Sequence, residues 1–176
     1  MDLDWPWQYD FPPFFTIQPN ETTRKTQLAV WCKLVLKYQK LSKKYVLDIN
    51  EVMETPLFSN KKINRSLSTE GILMVLEALM TTGNAEPSDK ARSRWYIYWH
   101  KIDEWADIIY SWAQDKGQID NVCTLYELQT STNTEFNGMQ HEVLIKVLKN
   151  LEKRGCAELV TGDDFIGVKF LDRVDV

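Results

Sequence analysis

The sequence predicts an α+β fold, two tandem copies of one small unit preceded by an extended Pro/aromatic N-terminal arm. Three observations predict it. An apolar helical pattern ending in Gly-x-Ala-Glu occurs twice, at an offset of 72 residues, with Glu70, Val75, Leu76, Leu79, Gly83, Ala85 and Glu86 matching Glu142, Val147, Leu148, Leu151, Gly155, Ala157 and Glu158. An amphipathic pattern precedes each copy, with Trp31, Leu34, Val35 and Tyr38 matching Trp105, Ile108, Ile109 and Trp112. The first fifteen residues hold six aromatics and three prolines, a composition found in neither copy.

The elements follow in order. The arm reads Trp5-Pro6-Trp7-Gln8-Tyr9-Asp10-Phe11-Pro12-Pro13-Phe14-Phe15. Proline fixes φ and lacks an N–H, so the arm is expected to be extended or turned and to stay out of helices and interior strands. Asn20 or Thr22 can cap the first amphipathic helix, and Asp103 can begin its counterpart. Residues 46–54 and 123–130 each read as a short strand and a short helix. The long 3.6-period segments that follow end at Gly83 and Gly155, the place where a helix leaves through a left-handed residue. Alternating strands flank a polar turn in each copy, at residues 87–93 with a second strand over 95–99, and at 162–164 with a second strand over 166–171. Helix, short strand, helix, helix and two-stranded hairpin is the order of a winged helix. The expected domains are an arm over 1–19, a first winged helix over 20–100 and a second over 101–176.

Composition narrows the function. The net charge is -4, and the acidity is uneven: residues 1–100 carry 13 Lys/Arg against 11 Asp/Glu, and residues 101–176 carry 8 against 14. A general nucleic-acid binder would be basic. Cys32, Cys123 and Cys156 are widely spaced and form no metal-ligand motif, so free buried thiols in a reducing, cytoplasmic setting are expected. Asp2 and Asp4 stand where a secretory leader would be basic, and no apolar run approaches a membrane span.

Winged helices commonly read DNA through their third helix, which must bring cations to the groove. No Lys or Arg occurs from Ser66 to Asp89, the stretch that holds this helix in the first unit. In the second, Lys146, Lys149 and Lys153 fall on one helical face and could meet phosphate, an acidic protein surface or water. A nucleic-acid-binding or transcription-associated factor is therefore the alternative reading, and protein–protein contact the leading one. Catalysis has no nominee. His100 and His141 belong to different units, and the seven glycines form no phosphate loop, dinucleotide fingerprint or nucleophile elbow. No cofactor is expected.

Arm and tandem units together, from Trp5 through Phe15 to Ile17-Gln18-Pro19-Asn20, then Thr23-Arg24 and the segment 28–32, closely resemble the small subunit of the endosomal sorting complex ESCRT-II. The resemblance covers the whole chain to the Gly167-Val168-Lys169-Phe170 strand. It implies a non-enzymatic adaptor that works in endosomal sorting of ubiquitinated cargo to multivesicular bodies, cytoplasmic and recruited to the endosomal membrane, with indirect membrane contact. It implies two copies of the chain per complex joined to two larger winged-helix subunits, each copy docked on a larger subunit through a Pro-Pro-x-aromatic motif. By position that motif is Pro12-Pro13-Phe14-Phe15, with Phe15 as the aromatic anchor. Trp5, Pro6, Trp7 and Tyr9 occupy the place of a second such motif, and Phe11 joins the two. The resemblance also implies that the second winged helix recruits an ESCRT-III subunit, for which Tyr126, Glu127, Phe136, Lys146, Lys149, Lys153 and Lys169 are the candidate contacts.

Overall fold

A computed structural model describes residues 2–173. The chain divides into two compact units, Met1–Trp99 and His100–Val176, and the arm is part of the first.

In the first unit, helix α1 (Glu21–Ser42) starts at Asn20, whose side chain accepts from the Thr23 N–H at 3.0 Å. It stops at Lys43, which takes a left-handed conformation at φ 50°. Strand β1 (Val46–Asp48) leads into α2 (Ile49–Val52), capped by Asp48. A two-residue hairpin, β2 (Ser59–Asn60) with β3 (Arg65–Ser66), then precedes α3 (Thr69–Thr81). Its strands are too short for alternation to be read, and the sequence did not disclose it. Strands β4 (Ala85–Pro87) and β5 (Arg94–Ile97) complete a three-stranded antiparallel sheet in the order β1-β5-β4. Leu47 pairs with Trp95 and Ala85 with Ile97, so these four point into one core with Trp31, Val35, Val75, Leu76 and Leu79.

The second unit repeats the plan without the extra hairpin. Helix α4 (Ile102–Asp115), β6 (Val122–Thr124), α5 (Leu125–Gln129), α6 (His141–Lys153), β7 (Ala157–Thr161) and β8 (Ile166–Phe170) give the sheet order β6-β8-β7. The edge–centre–edge order therefore recurs in both units, each with its first strand joined to the last. This is a tandem winged helix. Trp105, Ile109, Leu128, Val147, Leu148, Leu151, Val168 and Phe170 are fully buried.

The repeated glycines close both long helices in the same way. Gly83 and Gly155 stand at φ 81° and 76°. The Gly83 N–H donates to the Met80 carbonyl and the Asn84 N–H to that of Leu79, while Gly155 and Cys156 donate to Glu152 and Leu151. Each pair satisfies two of the carbonyls that a helix end leaves unpaired.

Asp103 is not the cap of α4, which begins at Ile102 after Lys101. Its carboxylate instead receives Asn150 Nδ2 at 2.8 Å and Arg154 Nη2 at 3.1 Å, while Arg154 Nη1 reaches Asp107 at 2.7 Å. The Arg154 fork thus clamps the end of α6 to the start of α4. The Asn150 amide, followed by Arg154, holds the Asp103 carboxyl below its usual pKa.

Two predictions follow from these ends. A Cβ at residue 155 would meet nothing within 4 Å, so the cost of Gly155→Ala is that of the left-handed backbone alone, about 1 kcal/mol, with Gly155→Asn costing less. Urea unfolding of the two variants checks it. Because the folded pKa of Asp103 is depressed, its contribution is present above the unfolded carboxylate value and is lost as pH falls through the folded one. Asp103→Asn should therefore flatten the acid limb of the stability–pH curve below about pH 4 and lower the plateau at neutral pH.

Candidate partner-docking site

The arm folds as two successive 3₁₀ turns, Trp7–Asp10 and Pro12–Phe15. Proline permits this because the first residues of a helical turn need no N–H partner. The Tyr9 N–H donates to the Pro6 carbonyl at 3.0 Å, Phe11 to Gln8 at 2.9 Å, Phe14 to Phe11 at 2.9 Å and Thr16 to Pro13 at 3.2 Å. A turned rather than extended path gives the arm two faces.

The inner face completes the first core. Leu3, Phe14 and Phe15 are buried, and Trp5, Tyr9 and Ile17 pack partly against them. Phe14 stacks flat on Trp31, with ring centroids 4.2 Å apart and planes 4° apart, while Phe15 meets the same indole edge-on at 5.4 Å. Polar bonds fix the turn between them. Trp31 Nε1 and Gln27 Nε2 donate to the Phe14 carbonyl at 3.0 and 2.9 Å, and Gln27 Oε1 accepts from the Gln18 N–H at 3.0 Å. Further along, the Tyr9 hydroxyl donates to the Pro56 carbonyl, and Asn60 Nδ2 donates to the Tyr9 carbonyl at 2.7 Å. The hairpin region missed in the sequence is therefore what anchors the first turn. Burial of the Tyr9 phenol raises its pKa, with Asp10 adding to the effect.

The expected placement of Phe15 as an outward anchor is thus corrected. Phe14 and Phe15 occupy the chain's own core, each only 4% exposed. One flat face of the Trp31 indole is covered by the arm, through Phe14.

The outer face carries the remaining candidates. Trp7 is 71% and Phe11 48% exposed, and the two rings lie 5.6 Å apart. Pro12 and Pro13 are also exposed, and Pro6 is half-buried. Trp7, Phe11, Pro13 and Phe14, with Gln27 and Val30 of α1, line an apolar groove of about 360 Å³. Large rings held on a pinned backbone are what a partner pocket can seat at low entropic cost.

In the second unit the candidates separate. Tyr126 is exposed on α5 beside exposed Glu127, whose N–H is held by Thr124 Oγ1 at 3.1 Å. Phe136, expected as a contact, is 1% exposed and lies edge-on to Trp112 at 5.5 Å, so it is a core residue. Its polar surroundings in sequence, Asn133 to Asn137, concealed that. Lys149 and Lys153 are exposed on α6, whereas Lys146 is half-buried, and Lys169 is half-buried on β8 opposite Val122. Exposed Val122, Phe165 and Ile166 were not anticipated. Val122 and Phe165 both crowd the Cβ position of Gly167, which places them together on the wing. The signal available was a phenylalanine set between two glycines at the wing turn.

His100 Nε2 is hydrogen-bonded to Glu135 at 2.7 Å, its Nδ1 lies 3.8 Å from Glu104, and its ring is edge-on to Trp105, contacts that tie the start of this unit to the loop before α6. Among the described residues no group of three His, Cys, Asp or Glu could hold a metal ion, and no helix is long and apolar enough to cross a membrane. Burial pushes the Cys32 thiol up to about 11 and also raises Cys123, so neither is poised as a thiolate.

Comparison with known proteins points in one direction. A family model described as "ESCRT-II complex subunit" matches residues 8–141. The chain is 49% identical over 173 residues to vacuolar protein-sorting-associated protein 25 of Danio rerio, covering 97% of this chain and 99% of that one. It is 45% identical to the Homo sapiens protein of that name, over 97% and 98% of the two chains. Among solved structures it is similar to subunit VPS25 of the endosomal trafficking complex ESCRT-II, with a TM-score of 0.83, 31% identity and coverage of 93% and 97%. It is also similar to a chain in the crystal structure of endosomal complex ESCRT-II (VPS22/VPS25/VPS36), with a TM-score of 0.81, 30% identity and coverage of 94% and 98%.

The two faces of the arm predict opposite responses. Phe14→Ala or Phe15→Ala removes a core ring and should cost about 3–5 kcal/mol of first-unit stability. Trp7→Ala should change it by no more than about 0.5 kcal/mol. Thermal or urea unfolding distinguishes them.

Proposed function

The chain belongs to the ESCRT-II complex subunit family, and from that premise we propose that it is a non-enzymatic adaptor held in the complex by the outer face of its arm. The observation that carries this is the exposed Trp7–Phe11 pair beside Pro12 and Pro13, on a backbone that the inner rings have already immobilised. The occupants are the larger subunits, the counterparts of VPS22 and VPS36 in the related complex. Pro12 and Pro13 remain as expected contacts. The aromatic anchor passes from Phe15 to Trp7 and Phe11, while Trp5, Pro6, Tyr9, Phe14 and Phe15 support the site from below. Two copies of this chain per complex would double the surface offered to a recruited partner.

The second winged helix then presents a site for an ESCRT-III subunit. Exposed Tyr126, with Val122, Phe165 and Ile166 on the wing, favours it. An amphipathic helix laid on this surface would cover the apolar side chains, while Glu127, Lys169, Lys149, Lys153 and Lys146 supply charge nearby. The complex would act from the cytoplasm at endosomes, sorting ubiquitinated cargo to multivesicular bodies. The nucleic-acid reading is disfavoured by α3, which carries no cation to place against phosphate.

The test is copurification. Trp7→Ala with Phe11→Ala and Pro13→Ala should abolish recovery of the larger subunits while leaving the unfolding transition of the isolated chain in place. Wild-type recovery by the folded variant would sink the arm assignment. Tyr126→Ala with Phe165→Ser should leave that recovery intact and weaken binding of the ESCRT-III subunit's N-terminal helix by at least tenfold in a fluorescence anisotropy titration. Unchanged affinity would remove the wing site.

A further inference from the structure

We infer that the solvent face of α1 is a direct binding surface for anionic phospholipid headgroups, beside the arm and apart from the wing. Between Glu21 and Asp48 the chain carries Arg24, Lys25, Lys33, Lys37, Lys40, Lys43 and Lys44 and no acidic residue. Seven of the chain's 21 Lys and Arg thus fall in one stretch without a counter-charge, in a protein whose net charge is -4. The buried residues Gln27, Trp31, Leu34, Val35 and Gln39 define the core side of α1. At 100° per residue, Lys33 and Lys40 fall on the side opposite and Lys37 on its flank, and all three are exposed. Lys43 and Lys44, also exposed, extend the stripe past the helix end.

An ordinary solvated helix face differs in two ways. It alternates signs, so that lysines pair with carboxylates one turn away. Here that pattern occurs once, at Lys25–Glu21, 3.2 Å. Among the described residues no ion pair engages Lys33, Lys37, Lys40, Lys43 or Lys44. The helix dipole accounts for cations in the last turn, at Lys40 and just beyond. It gives no reason for Lys33 and Lys37 in the middle of the helix. Asp4 shares a depression with both, and Asp48 and Glu51 share another with Lys44. The five lysines outnumber these neighbours.

The kind of anion follows from the residue types. Lysines are point charges on long flexible stems and suit a laterally mobile array of headgroups. The fork of an arginine is the better match to a fixed phosphate or carboxylate pair. Leu41, 50% exposed, lies among Lys37, Lys40 and Lys44 at the end of the helix. An apolar side chain ringed by lysines can enter the headgroup–acyl boundary of a bilayer while the ammonium groups remain among the phosphates. A surface for single-stranded nucleic acid would instead call for exposed aromatic or arginine stacking, and the stripe has neither.

The experiment is vesicle flotation with the full chain, at physiological ionic strength, comparing phosphatidylcholine vesicles with vesicles containing about 30% phosphatidylserine. Binding should occur on the anionic vesicles alone and decline as salt rises. Lys33→Gln with Lys37→Gln and Lys40→Gln should lower the partition coefficient by about fivefold per lysine, on the order of 100-fold together. Lys61→Gln with Lys90→Gln and Lys116→Gln, three exposed lysines away from every surface described above, makes the same net-charge change and should leave partitioning within about twofold. Circular dichroism confirms that both triple variants are folded. Equal binding to neutral vesicles, wild-type partitioning by the α1 variant, or an equal loss in the control variant would each overturn the inference. Tighter binding to a DNA duplex than to the anionic vesicles would overturn it in favour of nucleic acid.

Discussion

The first unit is organised around one indole. Trp31 is fully buried, and it receives Phe14 on its face, Phe15 and Phe58 from other directions, and the Phe14 carbonyl on its N–H. These contacts join three separate stretches of chain: the arm, α1, and the segment between α2 and α3. Without the arm, a large apolar ring would face water. Without Trp31, the second 3₁₀ turn would lose the surface on which it folds, since short helices of this kind are not stable alone. The boundary of the folded unit therefore lies at the start of the chain, ahead of the first long helix.

A division of labour among the arm's aromatics follows from this. Adjacent Phe14 and Phe15 both enter the core, while Trp7 and Phe11 face solvent. The turn conformation thus sorts a crowded run into rings that stabilise and rings left open for recognition. Proline contributes by restricting the backbone between them and by giving the exposed face rigid apolar surface of its own.

The tandem architecture was legible because its signals are local and doubled. Helical periodicity, the Gly-x-Ala-Glu ends and the caps each act within a few residues, and the 72-residue offset let one copy support the other. What was not legible depends on contacts distant in sequence. Phe15 and Phe136 sit in polar or proline-rich stretches, and only the positions of Trp31 and Trp112 make them core. The wing patch was hidden for the complementary reason: Val122 opens the edge strand β6 and Ile166 opens the central strand β8 at the wing turn, and exposure at a strand's first residue is decided by what packs beyond it. The cap at Asp103 failed because a carboxylate near a helix start can be captured by a neighbouring helix, here through Arg154.

The seating of Phe14 and Phe15 also bears on how fast the subunit can join a complex. An arm that stayed loose until it met its partner could sweep a large volume, but each encounter would then wait on folding. Here the ordering is finished inside the free subunit, by Gln27, Trp31, Asn60 and Pro56, before any encounter takes place. Association becomes the docking of one preformed surface on another, governed by diffusion and orientation. Mutations that loosen the inner rings would then slow assembly while leaving every contact residue in place.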